Sequence, residues 1–300
     1  MRSLFRRGPA PPEPAPPAEP EPSRAAEQRG DDHAGHAMRA PSALHQFNRY
    51  EIKYLLPSTQ IPELRAALRS RLDADSHGTD GGYGVWSTYY DTRDLRFYWE
   101  KIEGLKFRRK LRVRHYGDRF AVRDDSTVHV EIKQRVNRVT QKRRIAVPYL
   151  AARDLCDRRA MIEHEPSQRA FVEEVLELIS LLDLHPVAMT GYQREAFVGR
   201  DADTGLRVTL DQRVRGRDRD FHFASGTENR LIVPARMSVV EFKANERVPY
   251  WLTDLAAHLS MSVARVSKYC QSVEAFGRAP RSVFHVPEEI PSPDFEPSEV

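Results

Sequence analysis

Cysteine is scarce in this chain of 300 residues, which contains only Cys156 and Cys270. Two cysteines provide neither a disulfide framework nor a cysteine-based zinc site, and their scarcity favours a reducing, cytoplasmic location. Long apolar runs are also absent, so the sequence offers no candidate for a membrane-spanning helix. The N-terminal residues lead directly into a proline-rich stretch, without the apolar centre of a secretory signal. These absences predict a soluble, cytoplasmic protein.

An arrangement for nucleophilic catalysis is likewise not evident, since no Ser-His-Asp or Cys-His constellation stands out. The net charge is modest at +4, with 47 lysines and arginines against 43 acidic residues. The positions of the cations are therefore more informative than their number. Composition predicts three parts, which are a disordered proline-rich arm over 1–43, a folded domain over 44–277 and a loose tail over 278–300.

Cations are concentrated on one face of a predicted strand. At the strand period of two, that face carries Lys106, Arg108, Lys110, Arg112 and Arg114. Two further runs, over 128–135 and 142–147, also alternate between charged and apolar residues. Because neighbouring strands lie about 4.8 Å apart, stacked cationic faces repel each other unless a polyanion or counterions lie beside them. The pattern favours a polyanion-binding face over an ordinary solvated face, where charges of both signs are usually mixed.

The strand census allows two architectures. About seven or eight short strands can be recognised, most of them charged on one face and apolar on the other, including a short strand over 221–223. An open sheet could turn its charged face to water, whereas a closed barrel could turn that face inward. A barrel needs helices over its apolar outside, and helical patterns occur over 58–72, 149–182 and 249–276.

A series of short motifs resembles one known family in content and order. The motifs are R-Y-E-I-K-Y, Y-Y-D-T, K-x-R-x-R-H-Y-G, V-E-I-K, Y-Q-R-E-A-F, R-V-T-L-D, V-V-E-F-K and S-K-Y-C. Over about residues 45–276 they resemble the VTC-type polyphosphate polymerase domain, a branch of the CYTH-like triphosphate tunnel metalloenzymes. The resemblance implies an α+β fold, in which helices flank an eight-stranded antiparallel tunnel with a charged lumen. It also implies transfer of the terminal phosphate of ATP to a polyphosphate chain.

The resemblance assigns roles residue by residue. The residues that it implies for catalysis are Arg112, Arg114, Lys133 and Arg207. Those that it implies for substrate binding are Arg49, Lys53, Lys142, Arg144, Arg194, Lys243, Arg265 and Lys268. Glu241 resembles the metal-binding glutamate, and a site of carboxylate and phosphate oxygens suits Mn²⁺ or Mg²⁺. Glu131 is a second metal candidate, but it could equally balance the neighbouring cations, and the same alternative applies to Glu51.

The sequence departs from the family pattern in ways that bear on function. Hydrolytic members of the superfamily begin with E-x-E-x-K, whereas here the first glutamate position is Arg49. The loss of that carboxylate favours a polymerase over a phosphatase. Arg265 stands where a lysine is expected in the final helix, and the arm is too short to be the inositol-phosphate sensing domain of eukaryotic VTC proteins.

The expected partners are ATP and polyphosphate, and the resemblance adds a membrane-protein partner that would bring the domain to a membrane. Nucleic acid is not expected, because glutamates are interspersed among the cations and the aromatic-plus-glycine signatures of common RNA-binding folds are missing. Two alternatives remain open. One is a tunnel triphosphatase that hydrolyses triphosphate or a nucleotide, and the other is a non-catalytic module that binds polyphosphate.

Overall fold

The computed structural model describes residues 49–75, 82–137, 139–245 and 247–281. The predicted arm, nearly all of the predicted tail and the side chain of Arg49 lie outside the described residues. The described part forms an α+β fold in which helices flank one large antiparallel sheet.

The described part contains eleven strands, more than the seven or eight that the sequence predicts. The strands are β1 (Arg49–Pro57), β2 (Leu72–Ala74), β3 (Tyr83–Asp91), β4 (Phe107–Tyr116), β5 (Thr127–Val136), β6 (Val139–Pro148), β7 (His185–Gly199), β8 (Arg207–Arg217), β9 (Arg230–Leu231), β10 (Met237–Asn245) and β11 (Ser262–Val263). The helices are α1 (Ile61–Arg69), α2 (Arg96–Ile102), α3 (Tyr149–Cys156), α4 (Arg169–Leu182), α5 (Tyr250–His258) and α6 (Lys268–Ala275).

The charged faces of separate strands form one continuous surface. The strand order is β11-β1-β10-β8-β7-β3-β4-β5-β6, with β2 paired to β7 and β9 paired to β8. Directly opposite residues of an antiparallel ladder share a face. One row of such residues across β3, β4, β5 and β6 is Tyr89, Arg112, Glu131 and Arg144. A second row across β1, β10 and β8 is Lys53, Glu241 and Thr209.

The sheet is not closed, so the predicted eight-stranded closed tunnel is wrong in that respect. Among the described residues, the hydrogen-bonded path ends at β6 on one side and at β11 on the other. The edge of β1 is already partly used, because β11 pairs with Tyr54 and Leu55 and the Ala264 amide donates to the Lys53 carbonyl. Because β11 occupies the edge of β1 at these residues, β6 cannot pair with β1 there to close the sheet.

The open sheet is nevertheless strongly curled. Strands β1 and β5 are six steps apart along the path, which in a flat sheet would separate them by about 29 Å. Instead, Lys133 Nζ on β5 lies 3.7 Å from Glu51 Oε2 on β1. The charged face is therefore concave, and its two ends meet through side chains. We call this concave surface the charged trough.

Helices cover the apolar, convex face of the sheet, as the sequence predicts for 58–72 and, in part, for 149–182. Buried residues of α3 and α4 pack on β4 to β6, whereas α1 and α5 pack on β1, β8 and β10. The region over 149–182 is two helices and not one, because Pro166 and the Glu165–Gln168 capping box begin a new helical segment after a break. None of the helices in the described ranges is both long and apolar enough to cross a membrane.

Two further local predictions are wrong. The region over 249–276 is not a continuous outer helix, since α5 ends at His258, β11 follows, and α6 lies on the charged side of the sheet. The segment over 221–223 is not a strand. Its Phe223 amide donates to the Tyr149 hydroxyl at 3.1 Å, so it makes a loop contact in place of a ladder bond.

Candidate functional site

The charged trough gathers many cations and a few carboxylates on one surface. Its cations include Lys53, Lys110, Arg112, Arg114, Lys133, Lys142, Arg144, Arg194, Lys243 and Lys268. Its carboxylates include Glu51, Glu131, Asp211 and Glu241. Cations outnumber carboxylates among these side chains, so the surface is suited to bind an anion.

Glu131 on β5 lies at the centre of the first cluster, in which four cations surround one carboxylate. Arg112 donates from Nε to Glu131 Oε2 at 2.7 Å, and Lys142 Nζ lies 2.6 Å from Oε1. Arg114 and Arg144 lie within 4.0 Å of the same carboxylate. Burial raises the pKa of Glu131, but Arg112, Arg114 and Lys142 together lower it to about 2. We call this group the Glu131 cluster.

A second cluster joins two carboxylates through a lysine of α6. Lys268 Nζ lies 2.6 Å from Asp211 Oδ2 and 3.3 Å from Glu241 Oε1. Arg194 donates two hydrogen bonds to Asp211 at 2.6 and 2.7 Å, and Lys243 donates to Glu241 at 2.7 Å. With Lys53, which lies 3.7 Å from Glu241 Oε1, these side chains form the Glu241 cluster.

The carboxylates of the Glu241 cluster are ionised despite their burial. Burial raises the pKa of Glu241, but Lys53, Lys268 and Lys243 hold it well below its ordinary value. Burial lowers the pKa of Lys268, but Asp211 and Glu241 raise it above its ordinary value. The charges of Glu241 and Lys268 are therefore stabilised by partners of opposite sign.

An excess of positive charge is evident between the two clusters. Burial and the nearby Lys53, Lys110 and Arg112 lower the pKa of Lys133 to about 8, against the opposing effect of Glu51. Neighbouring cations also act on Tyr89. Burial raises its pKa, but Arg112, Arg114 and Lys110 lower it to about 7. The Tyr89 shift, and the part of the Lys133 shift that neighbouring cations cause, indicate a positive field that favours anions.

Helix α6 is held against the trough by contacts on both sides of Lys268. Ser267 caps the helix by accepting from the Cys270 amide, and its Oγ also accepts from Lys110 Nζ at 2.9 Å. The Tyr269 ring stacks on Tyr89 with centroids 5.1 Å apart, and its hydroxyl donates to Asp91. These contacts fix the ammonium of Lys268 between its two carboxylates.

The sequence matches the model of the VTC domain over residues 48–276. The chain belongs to the VTC domain family. It is 26% identical over 232 residues to vacuolar transporter chaperone complex subunit 4 of Trypanosoma cruzi, covering 66% of this chain and 29% of that protein. It is 25% identical over 279 residues to the same subunit of Trypanosoma brucei brucei, covering 78% and 35%. The chain thus spans about a third of the length of these relatives.

Two solved structures are similar to this VTC domain in outline. One is a protein from Bacillus halodurans proposed to be an adenylate cyclase, with a TM-score of 0.45 and 13% identity, covering 73% of this chain and 95% of the other. The second is PH1819 from Pyrococcus horikoshii OT3, with a TM-score of 0.37 and 12% identity, covering 75% and 99%. At these values the likeness supports no inference about activity or ligand.

Most of the side chains that the sequence singles out meet in the trough of this VTC domain. Arg112, Arg114, Lys142 and Arg144 lie in the Glu131 cluster. Lys53, Arg194, Lys243 and Lys268 lie in the Glu241 cluster. Lys133 lies between them, at the seam with Glu51. Residues far apart in the sequence are therefore brought onto one surface.

Three predicted residues lie elsewhere or outside what is described. Arg207 faces the same side as Lys243, its partner in register, but it reaches the margin, where its Nη2 lies 2.5 Å from Asp75 Oδ2. Arg265 precedes α6, so the prediction that it lies in the final helix is wrong. The Arg49 side chain lies outside the described residues.

Asp211 is the main residue of the site that sequence reasoning missed. Its carboxylate accepts two hydrogen bonds from the Arg194 guanidinium and forms an ion pair with Lys268. A signal was present, because Asp211 has the same strand parity as Arg207 and Thr209 and so shares the charged face. A buried carboxylate on a cationic face is a candidate for balancing charge, as Glu51 also does for Lys53 at 2.6 Å.

A metal site made by protein ligands alone does not exist in the described ranges, which hold no group of three or more His, Cys, Asp or Glu residues able to bind an ion. Glu241 also lies among cations, with Lys243 at 2.7 Å and Lys268 at 3.3 Å, so a Mg²⁺ or Mn²⁺ ion bound there would take its other ligands from phosphate oxygens and water. Glu131 has the surroundings of a charge-balancing partner, which is the alternative that the sequence left open, because its carboxylate is 1% exposed and held by Arg112 and Lys142.

Proposed function

We propose that this VTC domain is a polyphosphate polymerase, which transfers the terminal phosphate of ATP to a polyphosphate chain bound in the charged trough. The observation that carries the proposal is the convergence of cations from separate strands on one concave surface, with Glu51 and Lys133 in contact across it. The positive field of that surface lowers the pKa of Tyr89 against the effect of burial, and it adds to the lowering that burial causes at Lys133. Membership of the VTC domain family supports the same activity.

Phosphoryl transfer requires the protein mainly to position the reactants and to neutralise their negative charge. The transferring phosphoryl group spreads its negative charge over several oxygens, and the protein stabilises it by placing cations around them. In the proposal, Arg112, Arg114 and Lys133 surround this group. Because Arg112 is already fixed by Glu131 and by the Tyr89 hydroxyl at 3.2 Å, its guanidinium is oriented before the substrate arrives.

The remaining cations of the trough bind the two phosphate-bearing substrates in this proposal. Arginine offers planar, two-pronged contacts to phosphate, and lysine offers a compact charge. The residues proposed for this role are Lys53, Lys142, Arg144, Arg194, Lys243 and Lys268, with Arg207 at the margin and with Arg49 and Arg265 as the family resemblance implies. A terminal phosphate is ionised at neutral pH, so the acceptor requires no dedicated general base.

We propose that Glu241 supplies the protein ligand for Mn²⁺ or Mg²⁺. When bound, the ion would neutralise charge on the ATP phosphates. Glu241→Gln keeps the size of the side chain and removes its charge, so we expect turnover to be lost while polyphosphate binding is retained. Unchanged turnover in this variant would remove Glu241 from the metal role.

The activity is tested by incubating the purified chain with ATP and Mn²⁺ and analysing both products. Accumulation of ADP together with long-chain polyphosphate supports the proposal. ADP with free phosphate alone would identify a triphosphatase, and tight polymer binding without ADP would identify a non-catalytic module.

A matched pair of variants localises the reaction to the trough. Arg112→Ala should abolish polymer synthesis. Arg143→Ala changes the same residue type on the convex side, where Arg143 donates to Glu174 at 2.7 Å, and should leave synthesis unchanged. Equal losses in both variants would place the reaction elsewhere.

The proposal includes a protein partner, because the relatives are named as subunits of a transporter chaperone complex. It keeps the cytoplasmic location that the sequence predicts and the membrane-protein partner that the resemblance implies. It includes no nucleic acid. Co-purification of the tagged chain with membrane proteins from its own cells tests this part, and recovery of the chain alone would contradict it.

A further inference from the structure

Three apolar side chains form an exposed row at one end of β4, β5 and β6. Phe107 is the register partner of Val136, and Val136 is the partner of Val139, so the three are adjacent on the convex face. They are 41%, 44% and 38% exposed, unlike the buried Leu111 and Ile132 further along the same strands. The helices that cover the convex face therefore leave this end uncovered.

The loop before β4 extends the same apolar surface. The Asn137 amide in the β5–β6 turn donates to the Lys106 carbonyl at 2.8 Å, which ties the loop to the turn. Leu105, next to Lys106, is 45% exposed. Arg109 lies over the Phe107 ring at 4.9 Å and is itself held by Glu100, so the ring is fixed in place. The exposed apolar surface thus belongs to an ordered part of the fold.

Basic residues flank this apolar row. Lys106 and Arg135 are exposed, and Arg108 is the register partner of Arg135 on the other face of the sheet. Burial lowers the pKa of Arg108, and repulsion from Arg135 lowers it further. Glu103 is the acidic residue of the adjoining loop. We call Leu105, Phe107, Val136 and Val139, with Lys106, Arg108 and Arg135, the basic-apolar tip.

We propose that the basic-apolar tip docks this domain on the surface of an anionic lipid bilayer. Apolar side chains would enter the boundary between headgroups and acyl chains, and the cations would contact acidic headgroups. The net positive charge selects this occupant over a second copy of the chain, because two such tips facing each other would repel. The proposal does not depend on the polymerase activity.

Another exposed apolar residue shows why the charge of the surroundings decides which surface is proposed to dock on the bilayer. Leu181 on α4 is 76% exposed, more than any member of the tip. Glu177 lies one helical turn before it, and Glu173 and Glu174 precede that residue on the same helix. An acidic helix is repelled by acidic headgroups, so Leu181 provides a matched control for the tip.

Sedimentation of the full chain with vesicles tests the proposal. We expect binding to vesicles that contain phosphatidylserine, weak binding to vesicles of phosphatidylcholine alone, and release at high salt. The double variant Val136→Ser and Val139→Ser should bind the acidic vesicles about tenfold more weakly. Serine changes no charge, so this loss isolates the apolar contact from attraction by the trough. Leu181→Ser should bind like the wild type.

The charge contribution is tested separately with Lys106→Glu and Arg135→Glu, which should also weaken binding to acidic vesicles. Thermal melting verifies that each variant is folded, and ATP turnover by the serine variant should equal that of the wild type. Wild-type binding by the double serine variant would overturn the proposal, as would equal binding to both kinds of vesicle or no sedimentation. A dimer in light scattering that the serine variant loses would assign the tip to self-association instead.

Discussion

The two carboxylate clusters of the charged trough each contain four cations, but they differ in the number of carboxylates and in how exposed their cations are. In the Glu131 cluster, the side chains of Lys142 and Arg144 are 40% and 50% exposed. In the Glu241 cluster, Lys268 is 9% exposed and Asp211 is fully buried. Because solvent screens exposed charges, the ion pairs of Lys268 should be stronger than those of Lys142 and Arg144. The comparison separates a cluster whose cations are more exposed from one whose charges are more buried and should contribute more to stability.

The two clusters also differ in how the chain builds them. The Glu131 cluster comes from β4, β5 and β6, which follow each other in the sequence and pair as neighbours. The Glu241 cluster joins β1, β7, β8 and β10 to α6, and so connects Lys53 with Lys268. Its charges therefore couple the beginning of the folded region to its end through Lys268, so removal of this central lysine should lower the stability of the whole fold.

The largest expected effect is the loss of the buried lysine. Lys268→Met leaves Asp211 and Glu241 without their shared cation, and breaking a buried ion pair in this way costs about 3–5 kcal/mol. We expect a lower free energy of unfolding by that amount in urea denaturation.

Arg144→Met makes the matched change in the exposed cluster, where a surface pair contributes about 1 kcal/mol or less. Similar losses of stability in the two variants would break the distinction between the clusters.

A smaller effect on stability but a large one on activity is expected for Glu131→Gln. The amide cannot hold Arg112 in the way that the carboxylate does at 2.7 Å, so the guanidinium loses its fixed orientation. A misplaced catalytic group costs about a hundredfold in turnover. Steady-state synthesis of polyphosphate measures this loss.

Saturating polyphosphate should also raise the melting temperature of Glu131→Gln more than that of the wild type, since the polymer replaces the missing negative charge. Glu174→Gln makes the same substitution on the convex side, beside Arg143, and should change neither quantity. A Glu131→Gln enzyme with wild-type turnover would show that Arg112 needs no orientation by Glu131.

The Glu131 cluster could be predicted from sequence because its residues lie on three strands that follow one another in the chain. Alternation with a period of two places Lys110, Arg112 and Arg114 on one face, and short connections between β4, β5 and β6 make these strands pair with their neighbours. The row that contains Glu131 follows from that pairing. The curl of the sheet could not be predicted in the same way, since it depends on contacts between β1 and β5.

The Glu241 cluster could be predicted only in part, because the chain turns where no sequence signal marks the turn. Ser260, two residues after the end of α5, lies in the left-handed region, with φ 47°, at a position where glycine is the usual residue. Because no glycine marks the end of α5, the sequence predicts a single outer helix over residues 249–276. The structure instead pairs β11 with β1 and carries α6 to the charged side, where Lys268 meets Asp211.

The smallest expected effect concerns pH, at the seam between the clusters. The pKa of Lys133 is about 8 in the folded protein, below its ordinary value of 10.5. Below pH 8 the ammonium is charged and attracts phosphate, and as the pH rises through 8 this charge is lost. Affinity for polyphosphate should therefore fall by at most about tenfold per pH unit, the limit for linkage to one proton. The unfolded chain retains its proton up to about 10.5, so this group makes folding more favourable as the pH rises from 8 toward that value.

Lys133→Arg tests this assignment because arginine stays charged throughout the window. We expect its affinity for polyphosphate, measured by isothermal titration calorimetry, to remain constant above pH 8 while that of the wild type falls. Tyr89, with a pKa of about 7, is largely ionised before the window begins and so contributes little to the difference. In buffers of different ionisation enthalpy, the wild type should take up a proton on binding above pH 8, since a bound phosphate restores the charge of Lys133. Parallel pH profiles for the two proteins would mean that the seam residue does not contact the polymer, and the binding surface would then be confined to the two clusters.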